Sequence, residues 1–339
     1  MTLWPVIGQP KAVSLLEQSL ERKNVAHAYL IVGPCHVGKM TLALSLAQAL
    51  NCLSGKPPCG ECPTCRRIAG GSFSDVGVVG LAKASSDDSR AKTEISIEQV
   101  RELQHLASLA PFEGRCRVFI IDQAERLSLE AANCLLKTIE EPPAGVLFVL
   151  LTSCEEALPA TVVSRCQRLE MRPLAAGEIE NALREKNIEP ERAKLLSRLS
   201  RGLVGWAFSA VSDDSLVVGQ LEMRDRVMSL SGGGLLPRLD YAAELAGLFG
   251  RDRRKANEVL GIWRDWWRDL MLVKLGLGNA VTSVDRTVEL DEMAAGLSLE
   301  EIRKFIGDIE MAEAALGQNA SPRLALEVLA LNIPEGRNG

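Results

Sequence analysis

A strand, a glycine loop and a helix follow one another between His27 and Cys52, and this run limits the folds open to the chain more than any other. His27-Ala28-Tyr29-Leu30-Ile31-Val32 is a short apolar segment that enters a turn. Gly33-Pro34-Cys35-His36-Val37-Gly38-Lys39-Met40 then reads GxxxxGK, and Leu42, Leu44, Leu46, Ala47 and Leu50 continue without a breaker, as a helix packed on a sheet would. Gly33 and Gly38 let backbone amides turn toward a phosphate, the helix N-terminus adds partial positive charge, and Lys39 neutralises the outer phosphates. The next residue ordinarily offers magnesium a hydroxyl, yet here it is Met40, whose thioether is a poor ligand for a hard cation. Thr41 follows, but one helical residue turns a side chain by about 100°, so its hydroxyl does not simply take that place. Two readings stay open: a loop that binds ATP or ADP without hydrolysing it, and a loop kept as a structural turn.

Val118-Phe119-Ile120-Ile121 and Val146-Leu147-Phe148-Val149-Leu150-Leu151 read as strands buried on both faces, as in a parallel sheet. A helix is expected from about Ser128 between them, and others over Val13–Leu20 and Glu98–Leu109. Helix and strand alternate, so the region up to about Met171 is expected to be a doubly wound α/β domain. Ala82–Ala91 reads as an exposed loop. Beyond Pro173 the strand signal stops, and helical patterns run to the end, including a helix over Ala256–Leu275 that carries Trp263, Trp266 and Trp267. Over 339 residues, 47% apolar composition can fill several cores, and a net charge of −5 argues against a strongly basic nucleic-acid wrapper. No basic leader and no run near the roughly 20 apolar residues of a membrane span is seen. A cytoplasmic protein with no membrane partner is expected.

Three further places carry chemistry. Phe119-Ile120-Ile121-Asp122 ends a strand on a carboxylate, so Asp122 is placed to reach a magnesium ion, but Gln123 follows where a carboxylate would polarise water. Glu125 reads as surface or helix-start charge. Cys52, Cys59, Cys62 and Cys65 form Cx6CxxCxxC, with Pro57, Gly60 and Pro63 supplying tight turns. Four close thiolates suit tetrahedral zinc in a closed, structural site, with free thiols or an iron–sulfur cluster as alternatives. Arg165, in Ser164-Arg165-Cys166 after a strand and turn, is by itself an ordinary surface cation.

Together these segments resemble the clamp-loader branch of the AAA+ ATPases. The marks are Val6-Ile7-Gly8-Gln9, His27-Ala28-Tyr29-Leu30, the inserted cysteines, the run Ala131-Ala132-Asn133-Cys134-Leu135-Leu136-Lys137-Thr138-Ile139-Glu140-Glu141-Pro142-Pro143, Ser164-Arg165-Cys166, and the ending Asn319–Glu327. The resemblance implies an AAA+ P-loop domain with a four-cysteine zinc insertion over 1–172, a helical lid over 173–211 and an α-helical collar for oligomerisation over 212–334. It implies ATP sites between subunits, with Arg165 entering a neighbour's site. The implied partners are the gamma/tau and delta subunits of the DNA polymerase III clamp loader and, through the complex, the sliding clamp and primed DNA. The family's motor subunits carry Thr, Glu and a sensor arginine where this chain has Met40, Gln123 and Gly205. That pattern implies a stator-like subunit with negligible ATPase activity of its own, and nucleotide contacts, if any, at Gly33, Gly38, Lys39, Thr41 and Asp122. The alternatives are an active motor subunit and a helicase of the same superfamily, which the acidic composition and the zinc insertion oppose. Lys137 reads as a solvated charge before a DNA contact, and the tryptophans as core or subunit contact before base stacking.

Overall fold

A computed structural model describes residues 4–81, 94–318 and 320–335. The expected loop Ala82–Ala91 and the residue Asn319 lie outside the described residues. The chain forms two compact units, Met1–Ala182 with Gly202–Trp206, and Leu183–Arg201 with Ala207–Gly339. Segment 173–211 therefore contributes to both.

The first unit is built on five parallel strands, β1 (Ala28–Val32), β2 (Val76–Val79), β3 (Arg117–Ile121), β4 (Val146–Thr152) and β5 (Gln167–Glu170), in the order β2-β3-β4-β1-β5. Its helices are α1 (Pro10–Glu21), α2 (Lys39–Asn51), α3 (Pro63–Ala69), α4 (Ile97–Ala107), α5 (Leu129–Glu140), α6 (Ala160–Val163) and the first part of α7 (Ala176–Glu185). Parallel neighbours require crossovers, and helices on both faces supply them. Strand side chains alternate between those faces. Tyr29, Ile31, Ile120, Val149 and Leu169 meet Leu16 of α1 and Leu42 and Leu46 of α2, while Leu30, Phe119, Phe148 and Leu150 meet Val100 of α4 and Leu135 and Ile139 of α5. Continuous apolar runs in β3 and β4 thus follow from burial on both sides. β2 and β5 escape such a reading because they are edge strands; of Gln167-Arg168-Leu169-Glu170, Leu169 alone is buried. The Ser128 hydroxyl accepts from Ala131 N at 3.1 Å and caps α5 where the sequence expects its start.

The second unit is helical: α8 (Pro190–Leu199), most of α9 (Val204–Ser212), α10 (Asp214–Gly232), α11 (Leu235–Arg251), α12 (Arg253–Lys274), α13 (Thr287–Gly296), α14 (Leu299–Gly317) and α15 (Pro322–Leu331). Its core forms around α12. Trp263, Trp266 and Trp267 are all buried, and the Trp263 and Trp267 rings lie 5.9 Å and 4.5 Å from that of Phe305. Burial makes them packing residues. Among the described residues no helix is long and apolar enough to cross a membrane.

Candidate functional site

The order of the sheet brings three strand ends together, because β4 lies between β1 and β3. The chain leaves β1 at Val32, and Gly33 N donates to Thr152 O at the end of β4, 3.1 Å away. A Cβ at Gly33 would lie 2.4 Å from Met171 O, so no other residue fits this backbone approach. Gly38 caps α2 at φ +102°, a conformation that favours glycine. Lys39 begins α2 and folds back, its Nζ donating to Gly33 O at 2.5 Å and Pro34 O at 2.8 Å. Burial lowers the Lys39 pKa, while the nearby Cys35, Glu125 and Asp122 oppose that shift. A turn with glycine-freed amides, a helix N-terminus and a half-buried ammonium is chemically equipped to hold phosphate.

Around this loop the sequence-derived departures acquire positions. Met40, half-buried, packs against the apolar cluster that includes Val37, Leu42 and Met171, and Thr41 is exposed. Asp122 follows β3, and its Oδ1 accepts from Gln123 N at 3.0 Å. Gln123 itself is exposed in a left-handed conformation, φ +54°. Gly205 lies near the start of α9, where its N–H donates to His36 O of the loop at 2.7 Å. A Cβ at Gly205 would stand 2.8 Å from that oxygen, so the backbone occupies the space where a side chain would begin.

Glu125 stands in the first turn of the short helix Ala124–Arg126, as a helix-start charge, and it also bonds across to the end of β4. Its Oε1 accepts from the Ser153 hydroxyl at 2.6 Å and from Ser153 N at 3.3 Å, just beyond β4, while Oε2 is buried without a hydrogen-bond partner. Half-buried on this short helix, it lies near enough to Lys39 for its charge to favour the ammonium form.

The four cysteines converge. Cys52 caps the C-terminus of α2, Cys62 caps the N-terminus of α3, and their sulfurs with those of Cys59 and Cys65 all lie within 4.8 Å of one another. The Cys52–Cys59 and Cys59–Cys65 sulfur separations are 3.5 Å and 3.9 Å. Zinc–sulfur bonds of about 2.3 Å in a tetrahedron place sulfurs roughly 3.8 Å apart, so the cluster has the size to hold a metal ion. Backbone amides reach three sulfurs at 3.4 Å: Ser54 N to Cys52, Cys62 N to Cys59 and Cys65 N to Cys62. At Cys62, burial raises the thiol pKa, but hydrogen bonds outweigh it and leave the group at about 6.

The knuckle is tied to the segment before β3. Asn51 Oδ1 accepts from Arg115 N at 2.8 Å and Cys116 N at 3.0 Å, and its Nδ2 donates to Cys116 O at 3.0 Å. Arg67 of α3 holds Glu113 through two hydrogen bonds of 2.5 Å and 2.8 Å.

Arg165 follows α6, a four-residue helix that stands between it and β4, so the expected strand and turn are more elaborate than read. Its guanidinium pairs with Glu140 Oε1 at 2.6 Å and donates to Thr161 O at 2.9 Å. Lys137 and Asn133 are exposed on α5.

Comparison with known proteins agrees with this arrangement. Residues 8–175 match the family described as "DNA polymerase III, delta subunit". DNA polymerase III subunit delta' of Bacillus subtilis (strain 168) is 35% identical over 339 residues, covering 97% of both chains. DNA polymerase III subunit tau of Escherichia coli (strain K12) is 35% identical over 322 residues, 90% of this chain and 48% of that protein. The tau subunit of Salmonella typhimurium is 36% identical over 242 residues, 69% of this chain and 36% of its own length. The chain thus spans at most about half the length of these two tau relatives. With a parallel α/β sheet, a convergent four-cysteine cluster and near-complete coverage of a delta' subunit, the chain belongs to the family of DNA polymerase III clamp-loader subunits.

Proposed function

We propose that the chain is a stator-like clamp-loader subunit, which helps load the sliding clamp onto primed DNA and lends Arg165 to the ATP site of a neighbouring subunit. In this reading it has three parts, the AAA+ P-loop domain (1–172), the lid (173–211) and the collar (212–334), and assembles with gamma/tau and delta subunits in the cytoplasm. Zinc held by Cys52, Cys59, Cys62 and Cys65 folds the knuckle and does no chemistry, since four thiolates leave no open position.

The observation that carries this reading is the occurrence together of three departures, one at the loop, one at the end of β3 and one packed on the loop. Met40 packs half-buried against the apolar cluster, Gln123 is an amide in an exposed left-handed turn, and Gly205 puts backbone against His36. Metal ligand, water-polarising carboxylate and phosphate sensor are replaced together. Gly33, Gly38 and Lys39, with Thr41 and Asp122 nearby, leave a site able to hold ATP or ADP.

The second reading, an active motor, is favoured by the tau relatives and by the intact GxxxxGK loop. ATP turnover by the purified chain separates the two. Negligible hydrolysis is expected, and clear magnesium-dependent hydrolysis overturns the stator reading. In the assembled complex, Arg165→Ala is expected to lower DNA-stimulated turnover at the neighbouring site, where a guanidinium in trans is worth about 10³ to 10⁵ in related phosphoryl-transfer systems. Unchanged turnover removes Arg165 from the mechanism.

A further inference from the structure

The Arg165 side chain is directed by a residue from another element. Its NH2 group pairs with Glu140 Oε1 at 2.6 Å, and NH1 donates to Thr161 O at 2.9 Å and lies 3.5 Å from the Ser164 hydroxyl. Thr161 and Ser164 belong to the arginine's own turn. Glu140 does not: it is the last residue of α5 and reaches across to the segment that follows α6. A helix C-terminus disfavours a carboxylate, because the exposed carbonyls carry partial negative charge. The Arg165 guanidinium offsets that disfavoured charge. We propose that Glu140 is a positioning residue for Arg165, biasing the guanidinium toward one rotamer so that it is presented to a neighbouring subunit largely ordered.

This inference rests on the trans role proposed for Arg165. An arginine side chain loses much rotamer freedom when it is fixed in a contact. Contacts to Thr161 and Glu140 impose that loss within the subunit, before assembly. Because the arginine and glutamate side chains are 38% and 45% exposed, the pair biases the rotamer without locking it, and its effect weakens with salt. Stronger charge on a neighbour's nucleotide then competes for the guanidinium without a large barrier.

Two measurements test the proposal. The first follows ¹⁵N relaxation of the Arg165 Nε–H in the full chain alone: an ordered signal is expected in the wild type and a mobile one in Glu140→Gln. The second measures ATP turnover of the assembled clamp loader at low and high salt. Glu140→Gln is expected to lower kcat about two- to fivefold, the range of a half-exposed ion pair, with KM for ATP unchanged and a shallower salt dependence. Added to Arg165→Ala, it is expected to change nothing further. Equal mobility of Arg165 in both chains overturns the pairing. Wild-type or faster turnover in Glu140→Gln, while Arg165→Ala is impaired, overturns the positioning role alone. Unchanged turnover in Arg165→Ala itself overturns the trans role and the inference together.

Discussion

Asp75 shows how much a single buried group can organise. Its carboxylate is inaccessible to solvent and accepts from the backbone N–H groups of Phe112, Glu113 and Gly114, each at 2.8 Å, while Arg117 donates to it at 2.8 Å and 3.0 Å. Burial alone would raise its pKa, but the three amides and the guanidinium outweigh it and hold the carboxyl at about 2. Since the folded value lies below the ordinary 3.8, this stabilisation is complete above that pH and fades as pH falls toward about 2. The linked loss is roughly 2 kcal/mol, to be read from urea unfolding at pH 5 and pH 2.5. Asp75→Ala, which strands Arg117 in the interior, is expected to cost about 3–5 kcal/mol at neutral pH in the same assay. None of this was visible in the chain, because Asp75 and Arg117 are 42 positions apart. Glu125 is the parallel case in the candidate site, since what distinguishes it is Ser153, 28 residues away.

At the level of elements, the four-cysteine knuckle and the segment before β3 behave as one structure. Asn51 adjoins Cys52, and Arg67 lies two residues beyond Cys65, so both polar anchors of residues 113–116 come from positions beside a cysteine of the cluster. Metal binding is coupled to folding wherever the unbound thiolates cannot hold the site. Cys62→Ser is therefore expected to lose about one equivalent of zinc by metal analysis and to raise amide hydrogen exchange in residues 111–117 as well as in the knuckle. Faster exchange confined to residues 52–65 would show that the segment stands without the metal. The elements themselves were legible where the local pattern was strong: β1, β3 and β4 as apolar runs, α5 from its Ser128 cap, and the cysteines from spacing alone. β2 and β5 were not, because edge strands are half-solvated and lose the apolar signature on which such a reading depends.

Over the whole molecule, the described buried residues form three apolar clusters, one on each face of the sheet in the first unit and one around α12 in the second. Trp267→Ala removes a buried ring packed 4.5 Å from Phe305 and is expected to cost the helical unit about 3–5 kcal/mol in chemical denaturation, with bound zinc unchanged. Loss of zinc in that variant would mean that the cores do not stand separately. Read alone, the chain determined that a glycine loop stands between strand and helix, that four thiols lie close enough for a metal, and that strands give way to helices beyond Pro173. Those features depend on backbone conformation and spacing over a few to about a dozen residues, which the order of side chains settles locally. Only tertiary structure decided that Glu125 meets Ser153, that Gly205 N–H meets His36 O, and that Glu140 pairs with Arg165. Each of these joins residues between 25 and 169 positions apart. Their meeting depends on strand order and helix packing, which follow from burying two faces of one sheet at once and not from any short stretch of the chain.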